Sequence, residues 1–343
     1  MTRYVIMGAG AVGASLAAQF ELAGINYALI GRGAQIQHLK KQGLSYQRPN
    51  ETRQVSLNAF DLADLVVLTS NDILLLTVKS QDATDALAYW SWRTIADTQS
   101  AAATTLPIVT FQNGVATEAA ALRTFSRVYG ASILTPARFT ETGKVVVGGD
   151  PQVGIVTVGH FPFGEDEISE KIARDLNRAD YLADSTPDIR RWKSAKLLHN
   201  VLNALELFDG PAELRSPIAE AIVEETRLAL TSAGYQFASP SERKKDISKW
   251  RVAPNSGIEA GQQSTWQSFK RGTSNEIDYL NGEVVLLGRL HGVATPFNAA
   301  IQALAAKLAN EGDLSNRPRL EAINALVNGL PQTISQNRTE ASR

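Results

Sequence analysis

The chain has no cysteine among its 343 residues. This excludes disulfides, thiolate metal sites and a cysteine nucleophile, and it fits a reducing compartment. Histidine is scarce as well: His38, His160, His199 and His291 are scattered without paired ligand spacing, so no metal site is expected. Neither sign of charge dominates. Lys+Arg (34) and Asp+Glu (35) nearly cancel, so there is no basic surface for a polyanion and no nucleic-acid partner is expected. The longest apolar runs, such as Ile73-Leu74-Leu75-Leu76-Thr77-Val78, have the length of strands and fall far short of a membrane span. No membrane association is expected, and no basic segment followed by an apolar one marks a signal peptide. A cytoplasmic location follows as the expectation. Internal repeats and low-complexity segments are also lacking.

What is present is a soluble globular composition, 44% hydrophobic, in a chain longer than one core usually serves, so two domains are expected. The first turn organises the rest. Gly8-Ala9-Gly10-Ala11-Val12-Gly13 follows the apolar run Tyr4-Val5-Ile6-Met7 and opens the helix-like run from Ala14 to Ala23. A strand that feeds such glycines and a helix that leaves them form a dinucleotide fingerprint. Gly8 permits the tight turn, Gly10 lets backbone amides approach a pyrophosphate, and Gly13 allows the helix to pack on the strand.

Strand ends supply the next candidates, because ligands of open α/β sheets lie beyond the carboxyl ends of the strands. Tyr27-Ala28-Leu29-Ile30 stops at Gly31-Arg32-Gly33 with no acidic residue near. An arginine there accommodates the extra phosphate of NADP(H), whereas an acidic residue would hold the ribose hydroxyls of NAD(H). Thr77-Val78-Lys79-Ser80 and Gln112-Asn113-Gly114 end two further apolar runs, which makes Lys79 and Asn113 candidates for the cofactor region. Leu44 to Phe60 is expected to cross an edge of the sheet as a strand pair, and Val128–Leu134 with Lys144–Val158 to complete it.

Beyond Asp184-Ser185-Thr186-Pro187 the pattern turns helical. The expected division is residues 1–186 as the NADP-binding α/β domain, 187–330 as an α-helical substrate domain and 331–343 as a polar tail. Projected at about 100° per residue, Trp192, Lys196, His199, Asn200 and Asn203 fall on one stripe, opposite an apolar face of Leu197, Leu198, Val201, Leu202, Leu205 and Phe208. Two asparagines carry a helix-propensity cost without an evident structural return. Thr273 and Glu276 have capping-box spacing, which offers Glu276 a structural role at its own helix start.

Lys196 with Asn200 one turn on, Gln112-Asn113-Gly114, Thr77-Val78-Lys79 and the run Glu276-Ile277-Asp278-Tyr279-Leu280-Asn281-Gly282 together resemble the ketopantoate reductase family, up to about residue 310. The resemblance implies a Rossmann-type α/β domain followed by an all-α domain like the C-terminal domain of 6-phosphogluconate dehydrogenase. It also implies NADPH-dependent reduction of 2-dehydropantoate to pantoate on the route to pantothenate. By that likeness Lys196 is the general acid, Glu276 helps bind and orient substrate, and Asn113, Asn200 and Ser264 line the site; Asn203, on the same stripe as Lys196, is a further candidate for binding substrate. Family members that reduce ketopantoate usually carry a second asparagine where this chain has Ala204. The segment Glu206-Leu207-Phe208-Asp209-Gly210-Pro211 also lacks an expected asparagine. The alternatives are a reductase of the same build acting on another 2-oxo acid or an imine, and a non-catalytic NADP(H)-sensing protein. The apolar helical half is compatible with a homodimer.

Overall fold

The computed structural model describes residues 1–64, 66–254, 256–258, 264–270, 276–311 and 317–329, without the side chains of Thr140, Ser264 and Lys270. The polar tail 331–343 and the proposed cap at Thr273 lie outside the described residues. The chain divides into two compact units, Met1–Lys193 with Phe237–Gln262, and Ser194–Gln236 with Gln263–Arg343. This division differs from the single cut expected after residue 186. The helix Ile189–Asn200 begins in the first unit, and Phe237–Gln262 returns to it.

The first unit is built on eight strands, β1 (Arg3–Met7), β2 (Tyr27–Gly31), β3 (Ala59–Asp61), β4 (Asp72–Leu76), β5 (Ile108–Thr110), β6 (Val128–Leu134), β7 (Ile155–His160) and β8 (Leu182–Ser185). They lie in the order β8-β7-β6-β5-β4-β1-β2-β3, which contains the 3-2-1-4-5-6 succession of dinucleotide-binding sheets. Strands β1 to β6 are mutually parallel, and β7 runs antiparallel to β6. The central strands are continuous apolar runs because helices cover both faces of such a sheet. Val5, Ile6, Leu74 and Leu75 are accordingly buried.

Two sequence expectations change here. Leu44–Arg48 and Lys144–Val147 do not extend the main sheet. With Glu51–Val55 and Ala137–Glu141 they make a separate four-stranded sheet, because the edge beyond β2 is taken by β3. Leu44, Tyr46, Val145 and Val147 alternate with more exposed residues and are buried in the core of this unit, on the side of the helix Ala11–Leu22. The returning segment is fastened by short polar contacts that carry no periodic signal. Gly149–Asp150 pairs with Arg251–Val252, and Arg191 donates to both Glu242 carboxylate oxygens at 2.7 and 2.9 Å.

The second unit is helical. Ala212–Ser232 packs against Asn281–His291 and Pro296–Glu311, and Ser264–Lys270 and Leu320–Gly329 complete its described α-helices. Glu225 accepts the backbone N–H groups of Phe297 and Asn298 at 2.8 and 2.9 Å and the Asn298 amide at 2.8 Å. A carboxylate from one helix thereby satisfies free donors in the first turn of another. Burial pushes the Glu225 carboxyl up, against the pull of these donors.

Burial alone pushes up the carboxyl of Glu283 on the helix Asn281–His291. A group whose folded value lies above its unfolded one adds stability below the ordinary carboxylate range, and that contribution is lost as pH rises through the raised value. Relative to Glu283→Gln, the parent is expected to lose melting temperature as pH rises through and above the ordinary carboxylate range. Thermal melts across that range check this, and curves that stay parallel would contradict it.

Candidate active site

In the first unit, parallel pairing brings Gly8, Arg32, Lys79 and Asn113 to the same edge of the sheet, just beyond the carboxyl ends of β1, β2, β4 and β5. Gly8 adopts φ +123°, and a Cβ there would lie 2.7 Å from the Val78 nitrogen. A Cβ on Gly13 would meet the Gly8 carbonyl oxygen at 1.9 Å, whereas one on Gly10 would meet nothing within 4 Å. The helix Ala11–Leu22 starts at Gly10 with no side-chain cap and no acidic residue in its first turn. Ala11 and Val12 add no polar side chain there, and Ala9 packs against the core of the unit. A backbone rim with unspent N–H groups and open room at its central glycine fits a dinucleotide pyrophosphate.

Thr77, named from the sequence only as part of Thr77-Val78-Lys79 and given no role of its own, staples this loop. Its hydroxyl lies 3.1 Å from the Met7 carbonyl oxygen and 2.9 Å from that of Gly8. Lys79 is the residue preceding the helix Ser80–Ser91. Arg32 similarly precedes Gly33–Gln42 and pairs with Asp82 at 3.1 Å. The Arg32 side chain is 76% exposed, so this pair is weak and easily exchanged for a phosphate. Loss of a charge-assisted hydrogen bond costs about 1.5–3 kcal/mol. Arg32→Ala is therefore expected to weaken NADPH binding by about 10- to 100-fold and NADH binding much less. Fluorescence titrations with the two nucleotides check this, and equal losses would contradict it.

Asn113 is half-buried, and its carbonyl accepts from Ser80 Oγ at 3.4 Å. Gln112, just before it, donates through Nε2 to the carbonyls of Leu76 and Val78 at 2.9 and 2.8 Å. A buried ion pair, Lys193 with Glu118, adjoins this turn. Sequence reading missed it, because 75 residues separate the partners. The available signal was a second lysine three residues before Lys196.

In the second unit the helix carrying Lys196 stops at Asn200, and Val201–Leu207 tightens into a 3₁₀ helix. The uniform 100° projection therefore fails beyond Asn200. At three residues per turn, Asn203 eclipses Asn200, and the two still share a face. The core face holds at Leu197, Val201, Leu205 and Phe208, which are buried, with Leu198 and Leu202 half-buried; on the opposite stripe His199 is exposed, but Trp192, Asn200 and Asn203 are buried as well. Asn200 is 8% exposed, and its Oδ1 is without a hydrogen-bond partner among the described residues. An unpaired buried acceptor costs about 1–3 kcal/mol, which is a reason to look for a ligand that supplies the donor.

Lys196 is half-buried. Glu276 is 5% exposed and precedes the 3₁₀ turn Ile277–Tyr279, where the sequence suggested the start of an α-helix. Asn281, five residues on, donates to the Val201 carbonyl and to Asn298 Oδ1, each at 3.0 Å. This bond ties the Glu276 segment to the chain immediately after Asn200. Ser264 begins a helix that packs on the 3₁₀ segment containing Asn203.

Similarity to known proteins runs through both units. Residues 4–162 match the family model described as ketopantoate reductase PanE/ApbA, and residues 188–309 match the one described as its C terminal. The chain is 28% identical over 310 residues to 2-dehydropantoate 2-reductase of Pyrococcus horikoshii, covering 87% of this chain and 95% of that protein. It is 27% identical over 307 residues to the Archaeoglobus fulgidus protein of the same name, with the same coverage. Among solved structures, D-mandelate dehydrogenase with NADH and anilino(oxo)acetate shares the fold at TM-score 0.75 and 19% identity, over 91% of this chain and 99% of that one. A ketopantoate reductase of Ralstonia eutropha aligns at TM-score 0.70 and 21% identity, again over 91% and 99%. With family models matched across both of its compact units, the chain belongs to the ketopantoate reductase family.

Proposed function

We propose that this chain reduces 2-dehydropantoate to pantoate with NADPH, and that Lys196 is its general acid. The observation that carries this reading is the line of Lys196, Asn200 and Asn203, tied through Asn281 to the Glu276 segment, in a chain of this family. Bound NADPH supplies the hydride for the C2 carbonyl carbon. As negative charge develops on the carbonyl oxygen, the Lys196 ammonium stabilises it and gives it a proton, an interaction stronger in the transition state than in the ground state. Asn200 Oδ1, buried and unspent, suits the donor of the substrate's C4 hydroxyl, and Glu276 offers that hydroxyl a second acceptor. Ser264, Asn203 and the Asn113 amide are the candidates for the substrate carboxylate and for the nicotinamide. Arg32 and Lys79 serve the phosphates.

A second reading is favoured by Ala204, where the family resemblance implies an asparagine, and by the likeness to D-mandelate dehydrogenase. In it the same machinery reduces a different 2-oxo acid. Product analysis tests the proposal: one pantoate formed for each NADPH consumed supports it, and ketopantoate recovered unchanged opposes it.

A further inference from the structure

The ion pair of Lys193 with Glu118 takes part in none of the steps above. Their side chains are 4% and 1% exposed, and a pair so deeply buried is often no more stabilising than apolar side chains of the same volume. Its partners point to a local task. Lys193 Nζ also donates to the Gln112 carbonyl at 2.9 Å, and Glu118 accepts the hydroxyl of Thr110, the last residue of β5. Gln112 is held at the same time by its own side chain, which bonds to the end of β4. The Gln112–Asn113 peptide is planar and trans, so aiming its carbonyl at the ammonium aims the Asn113 N–H the opposite way. A charged donor makes that bond roughly twice as strong as a neutral one.

We infer that Lys193, with Glu118 as its counterion, is a positioning residue that orients the Gln112–Asn113 peptide so that Asn113 holds the nicotinamide end of the bound cofactor. This rests on reading Asn113 as a cofactor contact. The pyrophosphate loop and Arg32 make no use of the pair, so the nucleotide stays bound without it while its nicotinamide loses its fixed orientation.

The test uses the full chain with NADPH alone and then with 2-oxo acid. Lys193→Met/Glu118→Gln removes both charges and leaves Thr110 an acceptor. This variant is expected to bind NADPH within about threefold of the parent and to shorten the fluorescence lifetime of the bound nicotinamide. Its kcat should fall by about tenfold with an unshifted pH profile. Glu118→Gln alone keeps the Lys193 donor and is expected to retain the parent lifetime. A folded double variant with the parent's lifetime and kcat would overturn the inference. If that variant does not fold, Lys193→Met/Glu118→Leu takes its place with the same expectation. Failure of both to melt cooperatively would show the pair to be purely structural, and the inference would fall. If the parent itself turns over no 2-oxo acid, the functional reading fails instead, and the lifetime comparison still decides the positioning role.

Discussion

Lys196→Ala is expected to turn over at least about 10²-fold more slowly than the parent at saturating substrate and NADPH, the size of a typical general acid–base contribution. Hydride addition to a ketone leaves an alkoxide, and nothing in water at neutral pH protonates it as readily as a positioned ammonium. The loss should therefore fall on kcat more than on KM, since the interaction is made chiefly in the transition state. Lys196→Arg separates the two tasks of the side chain. Arginine keeps the charge but gives up its proton poorly, so this variant should also be slow if proton donation matters. NADPH affinity should stay near the parent value in both, because the glycine loop is built within the other compact unit. Steady-state rates with single-turnover controls check this, and parent-like kcat in the alanine variant would remove Lys196 from the chemistry.

Gly10→Ala should leave the melting temperature close to that of the parent and weaken NADPH binding by about 10² or more. The free fold has room for the methyl group, since a Cβ at Gly10 meets nothing within 4 Å. On the reading of this loop as the pyrophosphate site, that room is where the pyrophosphate approaches the backbone, and a displacement of about 1 Å in such a contact can cost about 10²-fold. Gly13→Ala should behave differently. Its Cβ would be driven into the Gly8 carbonyl at 1.9 Å and the Thr77 hydroxyl at 2.5 Å, so melting temperature and NADPH affinity should fall together. Thermal melts paired with NADPH titrations distinguish the two glycines. Tight NADPH binding by Gly10→Ala would move the pyrophosphate away from this loop.

How much of this was legible beforehand follows from how local each signal is. The glycine turn, Arg32, Lys79 and Asn113 could be read because each follows directly on an apolar strand, and parallel pairing then collects strand ends on one edge of the sheet. The separate four-stranded sheet could not, because alternation shows which face of a strand is apolar but not what that face packs on. The 3₁₀ turn after Asn200 escaped for a related reason. Asn200 and Asn203 share a face at 3.6 and at 3.0 residues per turn alike, so these two positions do not reveal the change of period. Long-range polar pairs cannot be read as pairs from the sequence, even where one partner, such as Lys193 beside Lys196, stands out. Lys193 and Glu118, or Glu225 and Asn298, are joined across 75 and 73 residues, and each is an ordinary charged or polar residue where it stands in the chain. The return of Phe237–Gln262 to the first unit depends on similar contacts, such as Arg191 with Glu242.

Ala204 sits where substrate is expected to be held, so the acid itself is the sharpest question. The decisive measurement is kcat/KM for NADPH oxidation with ketopantoate beside a few smaller and aromatic 2-oxo acids, under identical conditions. Ketopantoate should exceed each of the others by at least about tenfold, since a site that bonds the C4 hydroxyl leaves buried groups unpaired when an analogue lacks it. A higher kcat/KM for any acid without that hydroxyl would contradict the assignment.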